Sequence, residues 1–447
     1  MQSTKKIHQR VAVIGAGAAG LCAAKHLLAR GIDVVVFEMG SCIGGLWVYN
    51  NDNGMAPAYK SLHLNSEVAV TAYKDFPFPE GGPLYPDHAG MRRYLEAYAA
   101  HFDIVQHIRF NSKVENVAKH EGSWQVRLAD GSVDTFDAVV IGSGHQSVPT
   151  HPTWRDEFKG EYLHSHTYRI PEPFRDKRVL VVGMGNSAVD IAADICVVTE
   201  STMISARSPV LVMPRMLFGL PNSRALALLE KSWMPWPVRR TIREILVRII
   251  YGRMEQWGFT TPKKRTHPTS HPTLMAHMVW NRIRAKPGIQ SVNGQEVTFL
   301  DGSKETFDSI IAGTGYSVSL PFLAPDMRPM DGHRVKLYLR VVHPTENGLY
   351  FTGLFNVAGG GNIRMMDDQA EWVTELVCGD QTLPDLSQMN LAMEEEQKYL
   401  TKHFPGSTRY ALELDPIFYR KQIARQRTRG RASAATTAAQ NLNKGEA

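Results

Sequence analysis

Two glycine-rich turns are the part of this sequence best suited to hold a chemically active group. The first is Gly15-Ala-Gly17-Ala-Ala-Gly20, and the second, which begins 168 residues later, is Gly183-Met-Gly185-Asn-Ser-Ala188. Each follows a run of β-branched residues that predicts a strand. In such a turn the first glycine permits the bend, the second lets the backbone approach a pyrophosphate, and the third position lets the next helix pack on the strand. Unpaired N–H groups at the helix start then face the anion.

One such turn alone is equally typical of an ordinary strand–helix connection. A second repetition in the sequence favours nucleotide binding. The stretch from Asp130 to Gly144 recurs from Asp301 to Gly315, 171 residues further on. Each copy predicts a hairpin turn, a buried strand and a Gly-x-Gly turn. The alternative is two unrelated surface hairpins, and it requires both offsets to agree by chance. The repetition therefore predicts two bound dinucleotides, which points to flavin plus nicotinamide.

The strand after each turn ends in a residue that distinguishes the cofactors. The strand Asp33-Val-Val-Val-Phe37 is followed by Glu38. A carboxylate there accepts hydrogen bonds from ribose hydroxyls and repels a 2′-phosphate, which suits FAD or NAD. The strand Thr202-Met-Ile-Ser-Ala206 is followed instead by Arg207 and Ser208. A guanidinium and a hydroxyl suit the 2′-phosphate of NADP. Arg207 alone reads equally as a solvated surface residue, but its contrast with Glu38 favours NADP.

The paired offsets also predict the domain organisation. We expect an α/β fold with two Rossmann-like dinucleotide-binding domains, the NADPH domain being inserted into the FAD domain. The predicted limits are 1–150 for the first part of the FAD-binding domain, 151–298 for the inserted NADPH-binding domain and 299–410 for the second part of the FAD-binding domain. Residues 421–447 combine Arg425, Arg427, Arg429 and Arg431 with Ala, Thr and Ser, a composition typical of a disordered basic tail.

The composition excludes several other classes of protein. The 43% hydrophobic and 21% charged residues are typical of a soluble globular protein. No apolar run reaches the ~18 residues that predict a spanning helix, and no N-terminal apolar segment predicts a signal peptide. The four cysteines lack metal-ligand spacing, so we expect a cytoplasmic protein without a structural metal. The net charge of +6 is modest, and phosphate-bearing cofactors already use positive charge, so we expect no nucleic-acid partner.

Residues 238–257 are predicted to form an amphipathic helix, and its apolar face has two candidate binding surfaces. Five apolar residues recur at helical spacing with arginines between them, and Trp233 and Trp236 precede the segment. Such a helix suits a membrane interface. More often such a helix covers an apolar groove of the protein itself or of a partner subunit. We favour the second interpretation, and a homodimer is one form of it.

A fingerprint between the two predicted domains carries a family resemblance. Phe158, Gly160, His164 and Tyr168 match the pattern FxGxxxHxxxY. The sequence thereby resembles the flavin-containing monooxygenases, over residues 9–405. Other segments typical of that family occur in the same order, namely the two glycine turns, Gly44-Gly45-Leu46-Trp47, Tyr59-Lys-Ser-Leu-His-Leu-Asn65, Asp75-Phe-Pro-Phe-Pro79 and Gly313-Thr-Gly315-Tyr316.

The resemblance implies a reaction and a set of site residues. Such an enzyme uses FAD, NADPH and O₂ to insert one oxygen atom into an amine nitrogen or sulfide sulfur of a small-molecule substrate, through a flavin C4a-hydroperoxide in a dry pocket. Asn65 aligns with the active-site asparagine of the family; an unrelated Asn here would cap a turn. His164 is interpreted as a packing residue at a domain junction. The expected cofactor contacts are Gly15, Gly17, Gly20, Glu38, Gly45, Leu46, Trp47, His63, Val114, Tyr168, Gly183, Gly185, Asn186, Ser187, Arg207, Ser208, Gly315 and Gln369.

Three alternatives stay open from the sequence. A Baeyer–Villiger or oxidative-decarboxylating flavin monooxygenase shares these motifs but attacks a carbonyl. Baeyer–Villiger enzymes usually end the fingerprint in Trp followed by Pro or Asp, whereas this chain has Tyr168-Arg-Ile-Pro. A pyridine-nucleotide disulfide reductase shares the two-domain plan but needs a closely spaced cysteine pair, which this sequence lacks. A non-enzymatic FAD-containing protein would not be bleached by NADPH.

Overall fold

The computed structural model describes residues 9–227, 234–266, 269–332, 334–357, 361–404 and 411–445, with side chains as far as residue 434. The α-helices of these residues are α1 (Ala18–Leu28), α2 (Val68–Thr71), α3 (His88–His101), α4 (Asn186–Ile195), α5 (Asn222–Ala225), α6 (Trp236–Tyr251), α7 (Leu274–Val279), α8 (Asn362–Val377), α9 (Leu386–His403) and α10 (Pro416–Gly445).

The strands of the same residues are β1 (Arg10–Ile14), β2 (Asp33–Phe37), β3 (Ile108–Arg109), β4 (Val114–His120), β5 (Ser123–Leu128), β6 (Val133–Phe136), β7 (Ala138–Ile141), β8 (Val148–Pro149), β9 (Glu161–His164), β10 (Arg178–Val182), β11 (Ser201–Ala206), β12 (Val212–Met213), β13 (Met216–Leu217), β14 (Leu220–Pro221), β15 (Thr269–Ser270), β16 (Ile283–Pro287), β17 (Ile289–Asn293), β18 (Glu296–Phe299), β19 (Lys304–Thr306), β20 (Ser309–Ala312), β21 (Tyr316–Ser317), β22 (Met330–Asp331), β23 (Arg334–Val335), β24 (Leu349–Phe351), β25 (Asn356–Val357) and β26 (Glu413–Leu414).

The first large sheet is parallel and has the strand order β24-β7-β1-β2-β3. Its central strands are apolar apart from Arg10 and Asp33 at the starts of β1 and β2, because both faces are covered, as parallel sheets require. Alternate residues of β1 divide between two cores: Val11 and Val13 face the helices α1 and α8, and Ala12 and Ile14 face the three-stranded sheet β4-β5-β6.

The second large sheet is also parallel and repeats this plan with the order β16-β11-β10-β20-β9. A three-stranded sheet, β17-β18-β19, lies between β16 and β20 in the chain, as β4-β5-β6 lies between β3 and β7. Val179 and Val181 of β10 belong to one core, and Leu180 belongs to another. The prediction of two similar Rossmann-like domains, one inserted into the other, is confirmed.

A two-stranded ribbon marks where the chain enters and leaves the inserted region. Val148–Pro149 pairs antiparallel with Tyr316–Ser317. The boundary predicted at residue 298 falls inside the second domain, because Ser309–Ala312 is a central strand of the second sheet. The hairpin of β18 and β19 resembles a domain edge in sequence, but it leads back into that sheet. We propose that the inserted domain ends at the ribbon.

The prediction of a disordered tail for 421–447 is wrong for the described part of that segment, which belongs to α10. Ile423 of this helix is buried in the first core. Arg427 forms ion pairs with Glu371 at 3.0 Å and Glu375 at 2.5 Å, both on α8. Composition alone suggested a solvated arginine tail, because the acidic partners lie more than 50 residues away in the chain.

The predicted amphipathic helix 238–257 corresponds to α6, which begins at Trp236 and ends at Tyr251. One face packs on the second domain through Val247, with Ile242 and Leu246 beside it. The other face leaves Ile245 and Ile249 exposed. Within the described residues, no helix combines the length and the apolar character needed to cross a lipid bilayer.

Candidate functional site

The first glycine turn is held against the neighbouring strand in a conformation that only glycine adopts easily. Gly15 has a φ of +104°, and a Cβ there would lie 2.9 Å from the carbonyl oxygen of Gly142. Its N–H donates to the carbonyl of Phe37 at 2.8 Å. A Cβ on Gly20 would lie 1.8 Å from the carbonyl oxygen of Gly15. The turn and the start of α1 therefore pack backbone against backbone, which leaves the N–H groups of the turn close to any bound pyrophosphate.

Glu38 lies at the end of β2, beside this turn, and its side chain is buried. Its two carboxylate oxygens accept hydrogen bonds from the backbone N–H groups of Ala16 and Gly40, both at 2.8 Å. Burial raises the pKa of the carboxyl, and the two N–H groups oppose that rise. Oε1 also accepts from the amide nitrogen of Asn53 at 3.5 Å, and Oε2 keeps a further lone pair. The carboxylate can therefore accept hydrogen bonds from ribose hydroxyls, as the dinucleotide arrangement requires.

The Gly44–Trp47 segment closes over the first turn. Gly45–Trp47 is a short 3₁₀-helix, and a Cβ on Gly45 would lie 3.1 Å from Cα of Gly17. The N–H of Gly44 donates to the carbonyl of Ala16 at 3.3 Å. Leu46 is exposed, and Trp47 is half-buried against the first core. The structure thus brings Gly15, Gly17, Gly20, Glu38 and Gly45 together around one cradle that fits a dinucleotide.

The second glycine turn has the same geometry at β10. Gly183 has a φ of +117°, and a Cβ there would lie 2.5 Å from the carbonyl oxygen of Gly313. The Gly183 N–H donates to the carbonyl of Ser205 at 2.9 Å. Gly185 is the N-cap residue of α4, so Asn186 and Ser187 occupy its first turn. The free N–H groups of this first turn suit an anion.

Arg207 and Ser208 follow β11 and are exposed. Ser205 pairs with Val182, the last residue before the second turn, so the strand end lies next to that turn. Within the described part of the chain, Arg207 has neither a hydrogen bond nor an ion pair. Its guanidinium therefore keeps all its donors for a ligand such as a 2′-phosphate.

Asn65 lies on a segment that crosses between the two domains, Tyr59–Glu67, which we call the bridging segment. Tyr59 is buried in the core of the second domain, whereas Leu64 is buried in the core of the first. Asn65 is exposed. His63 is exposed beside it, and its Nδ1 lies 2.7 Å from the carbonyl oxygen of Ser61. The segment thus presents Asn65 where the two domains meet.

A cavity of about 210 Å³ lies beside the bridging segment and α4 and is lined by Ser61, His63, Asp190, Ala193, Asp194, Arg215, His271, Pro272 and Thr273. Burial raises the pKa of Asp190 to about 6 and lowers that of His271 to about 3. Nε2 of His271 lies 3.4 Å from Oδ1 of Asp190. At neutral pH this pair therefore consists of a charged carboxylate and a neutral imidazole.

The fingerprint residues lie just before, on and just after β9. His164 is buried, and its ring lies 5.4 Å from the rings of both His151 and Tyr316. Burial lowers the pKa of His164 to about 4, so its imidazole is neutral at pH 7. Tyr168 is buried as well, and its hydroxyl donates to Asp194 on α4 at 2.5 Å. These contacts support packing roles for both residues.

Three other predicted cofactor residues lie apart from the two turns. Val114 is buried in β4. Gly315, with a φ of +87°, lies beside the ribbon, where its carbonyl accepts from the N–H of Thr150. Gln369 is buried in α8; its amide oxygen accepts from the N–H of Gly353 at 2.9 Å, and its amide nitrogen donates to Tyr419 at 2.6 Å. Both polar atoms of Gln369 thus already have protein partners.

The sequence did not lead us to predict the contacts between the bridging segment and α4. Asp190 and Asp194 lie four residues apart on α4 and therefore share one helix face. Two carboxylates at this spacing in a largely apolar helix are the sequence signal that could have indicated these contacts. No group of three or more His, Cys, Asp or Glu residues in the described chain is arranged to hold a metal ion.

Comparisons with known proteins show the family of this chain. The profile of the flavin-binding monooxygenase-like family matches residues 8–429. Flavin-containing monooxygenase 1 from Rattus norvegicus is 32% identical over 441 residues, which cover 92% of this chain and 81% of the rat protein. The structure of S-allyl-L-cysteine S-oxygenase from Allium sativum is similar, with a TM-score of 0.71 and 25% identity, covering 98% of this chain and 93% of the garlic protein.

A more distant structure shares the fold alone. Cyclohexanone monooxygenase from Rhodococcus sp. Phi1, solved bound to NADP⁺, has a TM-score of 0.66 and 17% identity over 93% of this chain and 96% of the other. The family match extends over both glycine turns, the fingerprint and the bridging segment. The chain is therefore a monooxygenase of the flavin-binding monooxygenase-like family.

Proposed function

We propose that this enzyme binds FAD at the first glycine turn and NADPH at the second, and oxygenates an amine nitrogen or a sulfide sulfur. The observation that carries the cofactor assignment is the contrast between Glu38 and Arg207 at equivalent strand ends. A buried carboxylate suits a ribose without a 2′-phosphate, and an exposed guanidinium suits one that carries it. The name of the garlic relative, an S-oxygenase, supports a soft nucleophile as substrate.

The bound cofactors would supply the hydride and the activation of O₂, and the protein would orient and shield them. The N–H groups of the first turn would hold one pyrophosphate, with Glu38 on the adjacent ribose. Asn186 and Ser187 would contact the second pyrophosphate at the start of α4. Asn65, presented at the junction, would direct its amide towards the reacting oxygen, because a preorganised donor there stabilises developing charge.

The alternative function is oxygen insertion next to a carbonyl, as in a Baeyer–Villiger or oxidative-decarboxylating enzyme. The likeness to cyclohexanone monooxygenase does not favour this alternative, because at 17% identity it concerns the fold. The fingerprint ends in Tyr168 followed by Arg and Ile, unlike the usual Baeyer–Villiger pattern. For a disulfide reductase, the cysteines offer no pair: Cys22 is buried in α1 and Cys196 caps α4.

The test is consumption of NADPH and O₂ by the FAD-loaded enzyme over a panel of tertiary amines, sulfides and ketones, with the products identified. We expect N-oxides or sulfoxides. Esters or lactones from the ketones, with no heteroatom product, would establish the alternative function. Disulfide-dependent NADPH oxidation without O₂ uptake would contradict both.

A substitution tests the role of Asn65. In Asn65→Leu, we expect reduction of the flavin by NADPH to persist while the oxygenation rate falls about 10²–10³-fold, the usual loss for one preorganised donor. Reduced flavin would still react with O₂, so H₂O₂ should replace the oxygenated product. Stopped-flow reduction and H₂O₂ assay check this. Full coupling in Asn65→Leu would show that the oxygenation site lies elsewhere.

Three further predictions concern the surroundings of the enzyme. A homodimer would cover the exposed apolar face of α6, and this is our preferred explanation for Ile245 and Ile249 at the surface. Attachment of α6 to a membrane interface is the alternative. Sedimentation at several protein concentrations and vesicle flotation distinguish the two. The cytoplasmic location stays a prediction from composition.

A further inference from the structure

The bridging segment is bound to the second domain at two places on either side of Asn65. Towards its start, the Ser61 hydroxyl donates to Oδ2 of Asp194 on α4 at 2.8 Å. The Tyr59 hydroxyl donates to Asp190 on the same helix, also at 2.8 Å. At its end, Glu67 accepts from the Ser223 hydroxyl at 2.7 Å.

The contact at Glu67 is a buried charge with a cationic partner. The Glu67 side chain is 1% exposed, and its Oε2 lies 2.7 Å from Nε of Arg224. A buried carboxylate is stable only when such partners satisfy it, so losing one partner is costly. Ser223 and Arg224 both belong to α5 in the inserted domain. The end of the bridging segment therefore contacts α5 of the inserted domain.

The contact at Ser61 joins the segment to the fingerprint. Oδ2 of Asp194 accepts from both the Ser61 hydroxyl and the Tyr168 hydroxyl. The rings of Tyr59 and Tyr168 also meet edge to face, with centroids 5.8 Å apart. Asp194 lies on α4, the helix whose first turn carries Asn186 and Ser187. One carboxylate thus connects the nucleotide helix, the fingerprint and the segment that carries Asn65.

Between these two anchors the segment packs on the first domain. Leu64 is buried there, and its N–H donates to the carbonyl of Pro86 at 2.9 Å. Asn65 and Ser66 follow directly, before the chain reaches Glu67. Asn65 therefore lies between two contacts with the second domain and next to the contact of Leu64 with the first. Loss of either contact with the second domain would let Asn65 change position. Misplacement by about 1 Å can cost about 10²-fold in rate.

We propose that Ser61 and Glu67, through Asp194 and Arg224, are positioning residues that hold Asn65 at the junction of the two domains and thereby set the yield of oxygenated product per NADPH. This inference rests on the proposed function of Asn65. It assigns to the inserted domain a second task besides holding the nicotinamide nucleotide, because its helices α4 and α5 fix the geometry of the oxygenation step.

The test uses Ser61→Ala and Arg224→Ala in the FAD-loaded full-length enzyme. For each we expect the rate of flavin reduction by NADPH to stay within about twofold of wild type, and product per NADPH to fall while H₂O₂ rises, with about a 10-fold slower oxygenation. Ser61→Thr keeps a hydroxyl and should restore coupling. Arg30→Ala is the matched control, because Arg30 is a half-exposed arginine paired with Asp380 at 2.8 Å, away from the segment.

Double variants with Asn65→Leu separate positioning from other effects. If Ser61 and Arg224 act through Asn65, each substitution adds no further uncoupling in the Asn65→Leu background. Wild-type coupling in both single variants, with Asn65→Leu uncoupled, would overturn this inference alone. Additive uncoupling in the double variants would also overturn it. A fully coupled Asn65→Leu would overturn the proposed role of Asn65 and the inference together. FAD content and thermal unfolding identify a variant that fails to fold, in which case Ser61→Ala with Ser61→Thr decides the question.

Discussion

The two Rossmann-like domains share the order of four of their five strands but differ in how each nucleotide site is formed. In the first, Glu38 is buried and already bound by the N–H groups of Ala16 and Gly40. In the second, Arg207 at the equivalent strand end is exposed. A covered, preorganised site favours a cofactor that stays, whereas an exposed charge contact is screened by salt and favours one that exchanges. The difference supports the proposed assignment of FAD to the first turn and of NADPH to the second.

The packing behind the two turns differs by one methyl group. In the first domain, Gly142 faces Gly20, and a Cβ on Gly142 would lie 2.9 Å from Cα of Gly20. In the second, Gly313 faces Ala188, and a Cβ on Gly313 would lie 2.7 Å from the Ala188 methyl. The second domain therefore accommodates a methyl group on the helix at a position where the first accommodates none.

The largest expected effect comes from blocking each turn in its own domain. Gly15→Val should abolish FAD binding, because the side chain meets the Gly142 carbonyl and the φ of +104° disfavours valine. Gly183→Val should leave FAD bound but abolish reduction by NADPH. Flavin absorbance and stopped-flow reduction measure the two outcomes.

The control for these variants is Gly302→Ala, which has a positive φ of +79° but open space around it. It should cost only backbone strain and leave both cofactors bound. Loss of FAD from Gly183→Val with an intact Gly15→Val flavin would reverse our assignment of the domains.

The presence of Ala188 in the second turn at the position of Gly20 in the first predicts a smaller effect, which differs between the two domains. Gly20→Ala places a Cβ 1.8 Å from the Gly15 carbonyl oxygen, so the first turn must shift and FAD should bind more weakly. Ala188→Gly only removes a methyl from a helix, at a cost of about 1 kcal/mol in unfolding free energy. FAD content and chemical unfolding check both. Equal tolerance of the two changes would mean that the turns are not held as tightly as their geometry indicates.

A third prediction concerns α10, which packs on α8 of the first domain. Arg427→Ala should lower the free energy of unfolding by about 1–2 kcal/mol, after allowance for solvent screening of its ion pairs with α8. The KM for NADPH should not change, because the second domain is untouched. Arg425→Ala, an exposed arginine on the same helix, is the control.

The contribution of the Glu371–Arg427 ion pair to the free energy of unfolding should depend on pH. Burial opposes ionisation of Glu371, but Arg427 and Lys74 together outweigh it and lower the pKa to about 2. A carboxyl with a lowered pKa stabilises the fold above its unfolded pKa, and this contribution is lost as the pH falls. The difference between wild type and Arg427→Ala should therefore shrink as the pH falls from about 5 towards 2. A constant difference would mean that Arg427 acts only by packing.

The sequence predicted the two domains because their signals are local and repeated. A glycine turn, a strand end and a hairpin each occupy a few neighbouring residues, and the second copy confirms the first. The prediction of a disordered tail was wrong for the opposite reason. The helix α10 is held by Glu371 and Glu375, which are distant in the chain. The bridging contacts also join distant residues: Ser61 meets Asp194, and Glu67 meets Arg224. No local pattern encodes which carboxylate faces which hydroxyl.

Arg207→Ala tests the central claim, the division of cofactors between the two domains, most directly. Charge-assisted hydrogen bonds to a 2′-phosphate contribute about 1.5–3 kcal/mol each, so the KM for NADPH should rise roughly 10–100-fold. The KM for NADH should change much less, since NADH lacks that phosphate. FAD content should be unchanged, because Glu38 lies in the other domain. Both KM values are measured on wild type and variant at one ionic strength. An equal loss with NADPH and NADH, or a wild type that prefers NADH, would contradict the account.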